Sequence, residues 1–327
     1  MKKVQARKRL MSLAVMVSML ALVLSGCSGG NSGTSTSTAA ASTSVAEAST
    51  ATADTSAAED TAGAAETETE PAAGADYGPA IELTMGSTGA VEDISTKSAQ
   101  YFTEIVEEKS GGAIKITLYP ASQLGAATDQ MEMLATGAMD LFLEANFMAS
   151  YGVNNIKASS TMFCTRSKED YRRIAESDYF WNCAEEFRQN TGMRILCNNW
   201  FRNSTAVASK NKIESLDDCQ GVKLRVPPVN STVDMFNALG FNATPVAYNE
   251  TLISMQQGVV DAVWCTEDAI WTMGFYEPAN YVYELNASYD SMFVYANDDW
   301  FSNSLTDAQR ELIQQCAVEA GEYYTSL

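Results

Sequence analysis

The sequence predicts an α/β architecture in two successive parts, and three observations carry that expectation. From residue 80 onward, short apolar runs of strand type alternate with stretches of helical periodicity. The first series reads β-α-β-α-β, an order that makes a parallel sheet covered by helices. A long helical stretch then leads into a second strand–helix series of its own.

The elements of the first series can be justified in order. Residues 81–85 read as a strand. Residues 95–109 place Ala99, Phe102, Ile105 and Val106 on one helical face, with Gly111 close behind as a stop. Residues 114–119 alternate as a second strand, which Pro120 ends. Residues 129–136 form a short helix in which Met131 and Met133 are core fillers rather than a sulfur site. Residues 139–143 are an apolar third strand.

The second series follows a predicted helix over 168–189, which Gly192 ends. Strands are expected over 194–199, 205–209, 222–226, 243–246 and 259–265. Helices are expected after Pro228 and over 248–257. Near the end, Thr306 and Gln309 have capping-box spacing. Leu312, Ile313, Cys316, Ala317 and Ala320 then mark an amphipathic helix.

The N-terminal part is of another kind. Lys2, Lys3, Arg7, Lys8 and Arg9 precede an apolar stretch over 10–24, and Leu24-Ser25-Gly26-Cys27 follows. A span this short, with small residues at its end, is a secretory signal rather than a membrane helix. Residues 1–26 are therefore expected to be a lipoprotein signal peptide, with Cys27 as the lipidated residue. Residues 27–79 read as a disordered Ser/Thr/Ala tether carrying eight acidic residues and no Lys or Arg. Residues 80–327 form the folded part. This organisation predicts an extracytoplasmic protein held on the membrane by its lipid.

Composition excludes several functions. The chain has 21 basic and 41 acidic residues, and the part after the tether keeps a net charge of −17. That surface argues against nucleic acid. Histidine is absent, which removes the commonest general base and zinc ligand. Cysteines 164, 183, 197, 219, 265 and 316 show no C-x-x-C spacing, so no metal or dithiol site is expected. Their export permits disulfides, and free buried thiols are equally compatible. No G-x-S-x-G motif or phosphate loop occurs, and no cofactor is expected.

An acidic protein that holds an anion needs a local cation. Lys223-Leu224-Arg225-Val226-Pro227-Pro228 supplies one: a strand lifts one arginine, and two prolines stop the strand. A guanidinium fork meets a carboxylate with two parallel hydrogen bonds. With residues 255–262 (MQQGVVDA) thirty residues on, and with 102–125 (FTEIVEEKSGGAIKITLYPASQLG) and 133–141 (MLATGAMDL), the chain resembles the DctP family. These are the solute-binding proteins of tripartite ATP-independent periplasmic (TRAP) transporters.

The resemblance covers 81–327 and implies a two-lobed fold like that of periplasmic binding proteins, with mixed sheets flanked by helices and a ligand cleft between the lobes. It implies that Arg225 grips the carboxylate of a small organic acid, which passes to a small and a large integral membrane subunit. It implies no enzyme activity. A second cleft arginine of some members falls on Thr205, and Arg202 replaces it only through a register shift. The family's cleft asparagine falls on Cys265, beside Trp264. Asn146, Trp200 and Tyr248 complete the expected ligand contacts, whereas Trp271 is expected to pack between elements. A single carboxylate clamp beside aromatic faces predicts a monocarboxylate with a hydroxylated, cyclic or aromatic body rather than a plain C4-dicarboxylate. A ligand sensor for a signalling receptor is the alternative. A secreted enzyme using Glu267 or Asp268 has no catalytic constellation behind it. Family members usually continue beyond the point matching Leu327, so a truncated C-terminus is also expected.

Overall fold

The computed structural model describes residues 76–159 and 161–327. The leader, Cys27 and nearly all of the tether lie outside the described residues. The elements are, in order, β1 (Ile81–Ser87), α1 (Ile94–Lys109), β2 (Ile114–Tyr119), α2 (Ala127–Ala135), β3 (Leu141–Glu144), α3 (Lys168–Ala175), α4 (Asp178–Thr191), β4 (Met193–Phe201), β5 (Thr205–Ser209), β6 (Lys223–Val226), α5 (Asn230–Ala238), β7 (Asn242–Pro245), α6 (Thr251–Gln256), β8 (Ala262–Thr266), α7 (Glu267–Thr272), β9 (Tyr281–Glu284), β10 (Ser291–Asn297), α8 (Asp298–Asn303) and α9 (Asp307–Ser326).

Two mixed five-stranded sheets result, in the orders β2-β1-β3-β10-β4 and β7-β6-β8-β5-β9. In the first, β1 runs parallel to β2 and β3, while β10 is antiparallel to both of its neighbours. In the second, β6 runs parallel to β7 and β8, while β5 is antiparallel to β8 and β9. Each sheet is therefore a parallel β-α unit completed by antiparallel strands.

Strand alternation sends side chains to both faces of each sheet. In the first sheet Leu83, Met85, Leu141 and Leu143 enter a core under α1 and α9, while Phe142, Phe293 and Tyr295 enter a second core with α4. In the second sheet Val207, Leu224 and Val226 face α5, while Ala206, Ala208 and Val263 face Met255, Ile270 and Phe275. A strand buried on both faces carries a continuous apolar run, as β10 does: all seven residues are buried. Such a run does not distinguish strand from helix by periodicity, and the sequence reading assigned nothing there.

The helix expected over 168–189 is broken. Ser177 is extended (ψ 156°) and opens α4 as its N-cap residue. The break lets two apolar stripes address different partners: Tyr171 and Ala175 pack with Phe201, whereas Phe180, Cys183 and Phe187 enter the core of the first sheet. Gly192 ends α4 in the left-handed region (φ 69°), as its position predicts. Over 248–257 the first turn is a 3-10 turn (Tyr248–Glu250), and α6 follows it.

The chain crosses between the sheets twice. The first crossing runs from β4 to β5 through Arg202, Asn203 and Ser204. The second runs from β9 to β10 through residues 285–290. The two segments touch: the Arg202 N–H donates to the Asp290 carbonyl (3.0 Å). All six cysteines among the described residues are free thiols.

Candidate ligand-binding site

The carboxyl ends of the parallel strands are where α/β sheets offer a crevice. Here the ends from both sheets face one cavity of about 190 Å³. From the first sheet come Thr88 after β1 and Glu144 to Asn146 at the end of β3. From the second come Arg225 and Pro227 at the end of β6, Tyr248 after β7, and Trp264 to Thr266 on β8. The crossings add Arg202 and Asp290, and Thr205 begins β5. Tyr324 reaches the cavity from the last turns of α9.

Arg225 sits in the interior of its sheet, paired to Thr244 and Val263, and is 4% exposed. Its Nε donates to the Val246 carbonyl (3.0 Å), and its guanidinium lies 5.5 Å from the Tyr248 ring centroid. The terminal nitrogens have no protein acceptor, and Arg225 has no ion-pair partner, among the described residues. Burial accordingly lowers its pKa below that of a free arginine. A buried cation in this state is poised for an anion from outside the chain.

Arg202 lines the same cavity but is already engaged. Its Nε donates to Asp290 Oδ1 (2.6 Å), and its terminal nitrogen makes a second short bond to Oδ2. Burial lowers its pKa, but the Asp290 carboxylate outweighs that effect and raises it. Thr205, at the start of β5, shares a hydrogen bond with Ser288 of the second crossing (3.1 Å).

Carboxylates complete the lining. Glu144 accepts hydrogen bonds from the Thr88 hydroxyl and the Ala145 N–H (2.9 Å). Burial pushes its pKa up, against those bonds and the positive charges of Arg202 and Arg225. Asp93 caps α1 by accepting from the Ser95 N–H (2.8 Å), and its other oxygen accepts from Thr272 of α7 (3.2 Å), a bond between the lobes. Asp268 is raised by burial, and the Asp93 charge adds to that. Burial also lifts the Cys265 thiol to about 12, so it is a neutral wall of the cavity. The Trp264 indole nitrogen is buried without an acceptor among the described residues.

Of the ligand contacts expected from sequence, the structure brings Arg225, Thr205, Arg202, Trp264, Cys265, Asn146 and Tyr248 to this cavity. Trp200 is corrected: it is fully buried under α9, donates to the Ala317 carbonyl (3.0 Å) and stacks near Tyr324. Its place on β4 points it to the core rather than the cleft. Trp271, expected to pack, is 67% exposed beside Tyr276. Sequence reasoning missed Glu144, Asp93, Asp290 and, as a cleft residue, Asp268. Glu144 had a signal, a charge closing an apolar strand. Asp93 had another, an aspartate just before a helix. Asp290 had none.

Comparisons with known proteins agree with this geometry. The family of bacterial extracellular solute-binding proteins, family 7 (DctP), matches residues 85–327. The sialic acid-binding periplasmic protein SiaP of Vibrio cholerae is 26% identical over 255 residues, 78% of each chain. The fold is similar to that of a TRAP periplasmic solute-binding protein of Roseobacter denitrificans with bound L-galactonate (TM-score 0.71, 22% identity, 76% of this chain and 82% of that one). A counterpart of Xanthobacter autotrophicus with bound β-D-galacturonate gives a TM-score of 0.68 at 20% identity, over 75% of this chain and 81% of that one. The family model defines the protein as a solute-binding protein, and the fold agrees with it. It belongs to the DctP family of bacterial extracellular solute-binding proteins, which bind substrates.

Proposed function

We propose that this protein captures a small organic acid outside the cytoplasm and delivers it to the two integral subunits of a TRAP transporter. The observation that carries the reading is Arg225: a buried guanidinium at a cavity wall, with its terminal nitrogens unpaired among the described residues. Relatives that bind sialic acid, galactonate and galacturonate support the same ligand chemistry. The ligand's carboxylate takes the Arg225 fork, and its body lies against Tyr248, Trp264 and Cys265. Lobe closure excludes water and strengthens the charge contact. A receptor that must release its cargo suits an affinity near micromolar, about −8 kcal/mol.

The Arg202–Asp290 pair supports a monocarboxylate over a plain C4-dicarboxylate, because a second carboxylate would have to compete with Asp290 for its cation. A thermal-shift screen of organic acids, followed by calorimetry, tests this, since a ligand of the folded state raises its melting point. Sugar acids or aromatic monocarboxylates should bind, and succinate and malate should bind weakly. Micromolar succinate with no other acid bound would overturn the preference. Lipid anchoring at Cys27 rests on the lipobox alone. Cys27→Ser should release the protein from membranes or leave its precursor uncleaved, and unchanged lipid labelling would refute the anchor.

A further inference from the structure

The cavity holds more negative than positive side chains. Arg202 is matched by Asp290. That leaves Arg225 against Glu144, Asp93 and Asp268, all of which line the same space. An acid with a neutral body would add one more negative charge. Hydrogen-bond donors and helix N-termini offset part of this charge, and a lining of net negative charge favours a ligand group that carries a positive one.

The arrangement is polarised. Asp268 stands in the first turn of α7, three residues after Cys265, and Asp93 faces it from the N-cap of α1. Neither has an ion-pair partner among the described residues. Tyr248 and Cys265 line the same cavity as Arg225 and this carboxylate pair, and Arg225 lies 5.5 Å from the Tyr248 ring centroid. Arg225, 4% exposed with free terminal nitrogens, independently marks the space between as a ligand site.

We propose that the ligand carries a protonated nitrogen as well as a carboxylate, with Asp268 and the Thr272-bonded oxygen of Asp93 receiving the nitrogen and Arg225 the carboxylate. This rests on the carboxylate reading of Arg225 given above. Hydroxyl groups could also donate to Asp268, but they would leave its charge uncompensated. An ammonium does both. Asp93 is the lesser acceptor, because one of its oxygens is held by Ser95.

The test is calorimetry on the full chain with two matched series, ω-amino and ω-hydroxy carboxylates of increasing length, and with galactonate. At the best length the amino acid should bind about tenfold more tightly than its hydroxy partner, the scale of one charged hydrogen bond. Asp268→Asn, which keeps the shape, should shrink that gap to about twofold, as expected when one charged contact becomes neutral. The wild-type comparison needs no variant, so a poorly folding Asp268→Asn would not blunt it. Equal or tighter binding of hydroxy acids or galactonate overturns the inference, and the Arg225 reading survives if Arg225→Lys still weakens them. If none of these acids binds, the inference falls, and the wider screen of sugar and aromatic acids decides the Arg225 reading.

Discussion

Arg202 and Arg225 line one cavity from two different supports. Arg202 stands on the first crossing between the sheets, and Asp290 meets it from the second crossing with a bidentate pair. Arg225 stands inside the second sheet, where its Nε reaches only a backbone carbonyl. Burial lowers both pKa values, but only Arg202 has a carboxylate that reverses the effect. The lesson is that a cleft arginine's role depends on what the fold has placed opposite it. The pair at the crossings joins two chain segments, whereas the terminal nitrogens of Arg225 have no partner among the described residues, which is the basis of the proposed carboxylate contact.

The sharpest way to break this contrast is to remove Asp290. Both side chains of the pair are about four-fifths covered, at 22% and 23% exposed. Breaking a buried pair by deleting one partner costs about 3–5 kcal/mol, and the residual exposure places Asp290→Ala at the low end, about 3 kcal/mol. Chemical denaturation of the ligand-free protein should show that loss. The same variant frees Arg202, so its affinity for succinate should rise in calorimetry. A stable variant with unchanged succinate binding would mean that the pair neither holds the crossings nor withholds a cation.

The second test acts on the other arginine and expects the opposite profile. Arg225→Lys keeps the charge and loses the fork, so affinity for the bound acid should fall by about 1.5–3 kcal/mol, with Arg225→Ala losing more. The ligand-free protein should lose less stability than in Asp290→Ala, because Arg225 has no ion-pair partner among the described residues and holds only the Val246 carbonyl and the Tyr248 ring. Calorimetry and thermal melts on the same preparations separate the two effects. Affinity unchanged from the parent in both variants would remove Arg225 from the site.

Much of this contrast was legible in the sequence. The Lys-Leu-Arg-Val-Pro-Pro run marks a strand end with one lifted cation, and β6 delivers it to the cavity. The β-α-β-α-β order gave the parallel half of the first sheet. What was not legible depends on long-range pairing. β10 enters between β3 and β4, about 150 residues after β3, and no local pattern encodes such a neighbour. Asp290 becomes meaningful only through that insertion, because it precedes β10 and so meets Arg202. Trp200 was misassigned for a related reason: a strand next to the cleft sends alternate side chains away from it, and α9 from the chain's other end covers that face. The break in the helix after Ala175 likewise follows from two separate apolar destinations rather than from a local breaker.

The smallest expected effect concerns Glu144, which stands near both arginines and is paired with neither. Its folded pKa is raised, chiefly by burial, so ionising it opposes folding. The sign follows from linkage. The group's favourable contribution is fully present below its unfolded value near 4.3 and is lost as pH rises through the higher folded value. At pH 7 the buried charge therefore lowers stability. Glu144→Gln removes the charge and keeps groups that can bond Thr88 and the Ala145 N–H. The ligand-free variant should be more stable than the parent at pH 7 by about 0.5–2 kcal/mol, the usual range for a favourable single substitution. The advantage should shrink as pH falls through the folded pKa toward the unfolded value, where the parent carboxyl is itself neutral. Melts across that interval measure both. A constant gap, or a less stable variant at pH 7, would mean that Arg202 and Arg225 compensate Glu144 after all. The clear division between an engaged arginine and a free one would then have to give way to a shared network of three charges.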